Sequence, residues 1–523
     1  MTDTNTPHRF DHVVVAMFEN RSFDNLLGYL YGPGEMPSFE GVVGRNLSNP
    51  IPAYAPGAER GTVPVHPSEV MDSPDPDPGE EHPHTNTQLF GTIVPEGNRF
   101  LPAGKMRPPF NAPSDPTAVP SMSGFVTDYI DSFRSRAGRF PRYDEYAQIM
   151  SSHTPAELPV LSTLAREFAC FDHWFCEVPS QTFPNRSFFH AATSSGFVVN
   201  EPLGNFPLRN DAETIFERLE AAHVSWRVYF DPVQLVSLTG LLHARRLFSF
   251  FRTHFRPMDE FFRDAASGKL PGYSFIEPSL IPPHSDMHPP ITAALRRVLF
   301  FLPRPSAIAG GEALLAQVYG AVRASSTPRG SNFENTLLLV TFDEHGGTYD
   351  HVPPPRVPPP DPAAPEGQMG FRFDRAGVRI PTIAISAWVD RRTVVNQVYR
   401  STSVIRTLRE RWSLGPPLTA RDASAPDISP VLSRSTPRPR EDWPTFDVPP
   451  PRRRPTVIDS ALRPLPELGQ HIFAAALAHE ESKTGEAAPI DVRRVSHWRA
   501  RRHLRKLKHT AFPQVTGRPP ANP

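Results

Sequence analysis

Three short segments carry residue types that could do chemistry together: Glu19-Asn20, Thr182-Phe183-Pro184-Asn185-Arg186 and Asp343-Glu344. Carboxylates gathered from separate segments into a partly desolvated pocket repel one another. Each is pushed toward its protonated form unless a cation holds them. Carboxylate oxygens with an amide carbonyl from Asn20 are hard donors that suit Mg, Ca or Mn, and Zn or Fe can also be accommodated. Alone, Glu19-Asn20 reads as a helix N-cap, and Asp343-Glu344 as a turn before its glycine pair. Their joint placement after the two best strand patterns favours one divalent ion.

Thr182 needs a reason to be reactive, because an alcohol is a poor nucleophile at neutral pH. A divalent cation supplies it by stabilising the alkoxide. In the spacing T-x-P-x-R, Pro184 fixes the backbone just after the nucleophile, and Arg186 can anchor the turn or a nearby anion. Sulfatases carry C/S-x-P-x-R at the equivalent place, where Cys or Ser is oxidised to an aldehyde hydrate. Threonine cannot yield that aldehyde, which argues for a phosphate ester over a sulfate ester.

The elements that must position these residues are legible. HVVVAMF (His12 to Phe18) is a β-branched run suited to a buried parallel strand, ending at Glu19-Asn20 before the helix start RSFDNLLGYL. TLLLVTF (Thr336 to Phe342) is followed at once by Asp343-Glu344-His345-Gly346-Gly347. VRIPTIAIS (Val378 to Ser386) is a third strand candidate, and SWRVYF another, with helical patterns in ELPVLSTLAREF and AETIFERLEAAH. The alternation predicts an α/β layered fold around a mostly parallel sheet flanked by helices, and open sheets of this kind present functional groups at strand carboxyl ends. From Pro33 to Pro120 the chain reads as a long Pro-rich excursion over the surface, shaping one rim of the site.

At 523 residues the chain can bury a large core, and its 64 prolines send much of it through fixed turns. Lys+Arg and Asp+Glu balance at 55 each, so no global field favours nucleic acid. Positive charge gathers only near the C-terminus, at Arg452 to Arg454 and Arg499 to His509. That basic tail reads first as a solvated segment and second as a contact for anionic surfaces. Two cysteines, Cys170 and Cys176, give no disulfide framework. No apolar run is long enough for a transmembrane segment, and no signal peptide is visible. The expected location is cytoplasmic. Domain boundaries are expected at residues 1–430 for a catalytic domain and 431–523 for a Pro/Arg-rich extension, with LPELGQHIFAAALAHEE as an amphipathic helix packing back on the body.

The runs HVVVAMFENRSFDNLLG, VPSQTFPNR, HPP and TFDEHGGTYDHVPPP resemble, in order and rough spacing, the bacterial phosphoesterase family of phospholipases C and related acid phosphatases. GVRIPTIAISAW and STSVIRTLRERW extend the resemblance, which spans about residues 10 to 430. It implies a fold similar to alkaline phosphatases and sulfatases. It places one divalent metal on Glu19, Asn20, Thr182, Asp343 and Glu344, with Thr182 as nucleophile. The family's phosphate-contacting histidines match His288 in DMHPP best, then His84 in EEHPHTNTQ, where His82 or Glu80 could take the slot, and His243 in TGLLHARR last. Asp350-His351 reads as a structural pair supporting the metal loop.

The expected reaction is metal-dependent hydrolysis of a phosphate ester, phospholipase C-like. Thr182 attacks in line, Asn20 and Arg186 hold the phosphoryl group, and His288 or His84 stabilises charge or protonates the leaving group. The substrate is expected to be a phosphoester, including phospholipid. The alternatives are an acid-phosphatase-type phosphomonoesterase and a non-catalytic relative that only binds phosphoesters.

Overall fold

A computed structural model describes residues 9–447, apart from 201–204, 232, 233, 235, 281–283 and 291–305, and scattered positions between 470 and 503. Eight strands form one sheet: β1 (His12–Phe18), β2 (Ala169–Phe171), β3 (Trp226–Phe230), β4 (Phe255–Pro257), β5 (Tyr273–Glu277), β6 (Thr336–Phe342), β7 (Thr382–Ile385) and β8 (Thr393–Val395). Their order is β8-β2-β7-β6-β1-β5-β3-β4, and β7 alone runs against its neighbours. The two strongest sequence runs, β1 and β6, sit side by side in the middle and are buried on both faces, as continuous Val/Leu strands must be.

Helices cover this sheet to give the expected layered α/β architecture. Those used below are α1 (Phe23–Leu27), α2 (His82–Phe90), α3 (Phe125–Ala137), α4 (Pro159–Glu167), α5 (Thr182–Ala191), α6 (Leu238–Leu242), α7 (Met258–Ala266), α8 (Ala307–Ala324) and α9 (Thr402–Trp412). Helix α8 packs on α4 and α7, while α5 packs on α6 and α9. Among the described residues no helix is long and apolar enough to cross a membrane.

Two expectations change in detail. The third strand candidate is shorter than its apolar run, because Pro381 lacks an N–H and the ladder begins only at Thr382, antiparallel to β6. The Pro-rich excursion is also not confined to the surface: residues 73–90 are mostly buried, and the last nine of them form α2. Its polar side chains are hydrogen-bonded inward, as when Gln88 donates to the Asp128 carboxylate at 2.8 Å. Such a helix has no apolar stripe for the sequence to reveal. In the C-terminal extension, Phe473, Ala476 and Leu477 are helical and pack into a cluster with Phe183, Leu238 and Leu241. Arg452 to Arg454 and most of Arg499 to His509 lie outside the described residues. Cys170 and Cys176 are both buried free thiols.

Candidate active site

Because β1 and β6 are parallel neighbours with Phe18 opposite Phe342, Glu19 and Asp343 leave the sheet side by side. The Asp343 N–H donates to the Phe18 carbonyl at 3.1 Å and the Arg21 N–H to the Glu344 carbonyl at 3.1 Å, carrying the pairing into the loops. Asn20 takes left-handed backbone (φ 53°), a conformation Asn tolerates better than most side chains. Its N–H donates to Asp343 Oδ1 at 3.1 Å, which also accepts from the Glu344 N–H at 2.8 Å. The glycine pair makes this packing feasible. A Cβ on Gly346 would lie 2.2 Å from the Asn20 carbonyl oxygen, and one on Gly347 would lie 2.3 Å from that of Gly79. One loop thereby touches both Asn20 and the segment that carries Glu80.

Thr182 is the first residue of α5, buried at the helix start. Its hydroxyl lies 3.4 Å from Glu19 Oε2 and 3.4 Å from Asn20 Oδ1. Asn185 holds the approach to this helix: its carbonyl oxygen accepts from the Glu177 and Val178 N–H groups at 3.0 and 2.8 Å, and its amide donates to the Val178, Ser180 and Gln181 carbonyls. One turn past Thr182, the buried Arg186 guanidinium pairs with Glu19 and reaches Asp343 Oδ2 at 3.4 Å. Arg186 therefore meets the carboxylates themselves. In the predicted T-x-P-x-R motif, the Asn between Pro and Arg does the bracing that the sequence reading gave to Pro184 alone.

The electrostatics follow from burial. Desolvation pushes the Glu19 carboxyl well above its usual range; Arg186 opposes this and Asp343 reinforces it. Glu344 is likewise raised, by burial first and by Asp343 second. Among the described residues no donor hydrogen-bonds to the buried Asp343 Oδ2 or Glu344 Oε1, although Arg186 Nε stands 3.4 Å from the former. Buried oxygens of this kind are costly unless something positive meets them. Glu19 Oε2, Asn20 Oδ1 and the Thr182 hydroxyl add further oxygens, so the donor chemistry of these residues is of the kind a divalent cation takes.

His288 joins this group from the segment before α8. Arg21 donates to the Met287 carbonyl at 2.8 Å, and the Glu19 N–H donates to the Asp286 carbonyl at 2.8 Å, tying that segment to the β1 loop. The ring's Nδ1–H donates to the Pro289 carbonyl at 2.7 Å, and its Nε2 accepts from the Asn20 side-chain amide at 2.9 Å. Burial lowers its pKa, which keeps this neutral form. The Asn20 amide also donates to Glu80, which in turn accepts from the Gln181 amide at 3.2 Å. In the Glu80 to His84 stretch it is thus Glu80 that contacts the predicted set.

His84 and His243 are not brought to this group by any described contact. His84 donates to Asp128 on α3 at 2.7 Å; burial pushes its pKa down, but Asp128 and then Glu81 raise it to about 9. His243 packs edge-on against His190 at 5.9 Å, near the far end of α5, and burial lowers its pKa to about 3. His190 sits eight residues beyond Thr182, roughly 12 Å along a helix. Asp350 and His351 form a separate buried network. Arg379 donates to Asp24 at 2.8 Å and to Asp350 at 2.9 Å, and His351 Nδ1 lies 2.6 Å from Asp24.

A family model described as the Phosphoesterase family matches residues 10–415. Non-specific phospholipase C6 of Arabidopsis thaliana is 32% identical over 453 residues, 83% of this chain and 74% of that protein. Non-specific phospholipase C3 of the same plant is 31% identical over 445 residues, 82% of this chain and 74% of that one. Phospholipase C A of Mycobacterium tuberculosis (strain ATCC 25618 / H37Rv) is 28% identical over 355 residues, covering 62% of each chain. Among solved structures, an alkaline phosphatase superfamily protein from Vibrio parahaemolyticus overlays with a TM-score of 0.31 and 14% identity, over 55% of this chain and 65% of that one. The match runs through every segment that builds the Thr182 site, and the chain belongs to the phosphoesterase family.

Proposed function

We propose that this chain hydrolyses phosphate diesters of the phospholipid type, with Thr182 as the nucleophile in a site loaded with one divalent cation. The observation that carries the reading is the placement of the Thr182 hydroxyl 3.4 Å from both Glu19 Oε2 and Asn20 Oδ1, where Glu19 leaves the sheet next to Asp343. Glu19, Asn20, Asp343 and Glu344 would hold the cation, which would supply the stabilisation that brings a threonine alkoxide within reach near neutral pH. Thr182 Oγ1 loses its proton to solvent and forms the new bond to phosphorus as the opposite bond breaks, and the departing alkoxide takes a proton from solvent to leave as the alcohol. Water then hydrolyses the phosphorylated threonine and releases the head-group phosphate. Arg186 is a positioning residue that holds Glu19 and Asp343 in place. His288, with its proton on Nδ1, presents a lone pair toward the site. The proton-donor role expected of it would require protonation at Nε2, which burial opposes.

The phospholipase C names of the relatives favour a diester over a monoester. The test is an acid quench of a single turnover by the purified full chain, with peptide mapping. Phosphatidylcholine should leave phosphocholine esterified to the peptide containing Thr182, with diacylglycerol released. Faster turnover of a phosphomonoester than of any phospholipid would shift the reading to an acid-phosphatase type. Turnover with Thr182 unmodified at every quench time would overturn the nucleophile assignment.

A further inference from the structure

Buried arginines in this protein are met by acceptors. Arg186 pairs with Glu19, Arg379 with Asp24 and Asp350, Arg409 with Asp422 and Arg421 with Glu177. Arg21, Arg400 and Arg438 donate to backbone carbonyls. Arg375 is the exception. It is only 7% exposed, yet among the described residues its guanidinium has no hydrogen bond and no ion pair. Its Nε is buried, while its two Nη atoms, also without a partner, are not fully enclosed. The acid next to it in sequence, Asp374, is taken by Arg356 at 2.6 Å. Arg356 itself stands opposite Arg375 across an antiparallel bridge, so a like charge is alongside. Burial first, and Arg356 second, pull the Arg375 pKa down to about 10 against Asp374, which leaves it charged at neutral pH. A buried charge without a partner destabilises the fold unless a ligand brings the opposite charge.

The surroundings of Arg375 suit an anion. Its guanidinium carbon lies 4.9 Å from the centre of the Phe90 ring, at the end of α2. His82, Asn86 and Phe90 follow one another at four-residue steps and share one face of that helix. Asn86 Oδ1 is buried there without a donor, a second unmet polar atom on the same face. His82 is held neutral: burial lowers its pKa to about 4, and the Arg375 charge adds to this against the Pro179 hydrogen bond. Phe90 stands eight residues past His82, roughly 12 Å along the helix. The segment just before α2 reaches the Thr182 group through Glu80, so the Phe90 end is a separate place.

We infer that Arg375 binds a phosphate anion beside the Phe90 end of α2, in a site distinct from the Thr182 group. A guanidinium offers parallel N–H donors to two phosphate oxygens, and the ring against it holds the planar fork in one orientation. Phosphate that is inorganic or singly esterified also carries a hydroxyl near neutral pH, the donor that Asn86 Oδ1 lacks. Such a phosphate comes either free in solution or as the head group of a lipid, and the two sources are separable by experiment. The site stands whether or not Thr182 is the nucleophile.

The test compares the full wild-type chain with Arg375→Met and Arg375→Lys. In calorimetric titration with inorganic phosphate, wild type should bind one equivalent more than Arg375→Met, and Arg375→Lys should keep that equivalent at weaker affinity. Co-sedimentation with phosphatidylcholine vesicles, with and without phosphatidic acid, is run on the Thr182→Val background so that the lipid is not consumed. Loss of the phosphatidic-acid-dependent fraction in Arg375→Met assigns the site to a lipid head group; an effect confined to the phosphate titration assigns it to free phosphate. Melting temperature supplies the readout that a structural arginine would not give. Without phosphate, Arg375→Met should melt above wild type, because the unpaired charge is gone and methionine still packs on Phe90. Added phosphate should raise the wild-type value more than that of the variant. Equal phosphate stoichiometry together with equal vesicle binding in wild type and Arg375→Met overturns the inference. So does an Arg375→Met protein that melts below wild type in phosphate-free buffer, since the arginine would then be holding the fold and not a ligand.

Discussion

Two buried carboxylate groups grow from the same two chain segments, and they behave in opposite ways. Asp24, Asp350 and His351 bring ligand atoms within 4.8 Å of one another, as a cation site would. Yet every carboxylate oxygen there has a donor. Asp24 accepts from Arg379 at 2.8 Å, from the His351 ring at 2.6 Å and from the His351 N–H at 2.8 Å. Asp350 accepts from Arg379 and the Val352 N–H at 2.9 Å each, and from the Asp24 N–H at 3.1 Å. A guanidinium already occupies the place of the ion. A few residues upstream, Glu19 and Asp343 have Arg186 too, but among the described residues no donor hydrogen-bonds to Asp343 Oδ2 or Glu344 Oε1. Clustering of acids therefore does not by itself separate the two groups; on the proposed reading, buried oxygens without a donor do.

The largest effect expected from this contrast is on turnover. Thr182→Val removes the only hydroxyl in contact with Glu19 and Asn20 among the described residues. It should lower the rate on a phospholipid by on the order of 10⁴-fold or more, as loss of a nucleophile does, with the fold retained. Hydrolysis within tenfold of wild type by a folded Val variant would end the assignment. Next is the closed network. Arg379→Met leaves two buried carboxylates without their cation and should cost about 3–5 kcal/mol in denaturant unfolding. A midpoint unchanged from wild type would show that this network does not brace the loops.

The open group should instead answer to metal. Excess divalent cation should raise the melting temperature of wild type, by about 2.7 kcal/mol of stabilisation at 100 times the dissociation constant. Asp343→Asn should lose most of that gain while Arg379→Met keeps it. Equal stabilisation of all three by cation would erase the distinction drawn between the two groups.

Much of this was legible before any coordinates. The runs His12 to Phe18 and Thr336 to Phe342 are long, β-branched and apolar, so their burial followed from their chemistry, and each ends on its acidic pair. What the runs could not give is register: that Phe18 stands opposite Phe342, setting Glu19 beside Asp343, depends on pairing between residues more than three hundred positions apart. Glu80 was one of several candidates in a Pro-rich stretch because its segment is organised by polar hydrogen bonds, which leave no periodic signal. His84 and His243 matched by local motif, but a histidine's role depends on which groups fold against it. Asp128 on α3 faces one and His190 the other. The network of Asp24 with Arg379 was half visible: Asp350-His351 read as a structural pair, whereas the arginine that completes it lies in a strand candidate, where no motif marks it.

The smallest effect sharpens the comparison through pH. Burial pushes the His351 pKa down, but Asp24 raises it above the ordinary histidine value on balance, and Asp24 is held below the usual carboxylate range by His351 and Arg379 against its own desolvation. A raised histidine pKa contributes stability that is complete below its unfolded value near 6.5 and fades as pH rises through the folded value. The Asp24 contribution runs the other way, complete above about 4 and lost only in acid. The pair is thus strongest between roughly pH 4 and 6.5. His351→Asn should cost about 1–2 kcal/mol near pH 6, the worth of a charged hydrogen bond, and the gap to wild type should narrow steadily toward alkaline pH. Cation-induced stabilisation should be the same in both proteins at each pH. A gap that widens with pH would mean that His351 is neutral in the fold, and a loss of cation response would mean that the closed network also takes part in holding the ion.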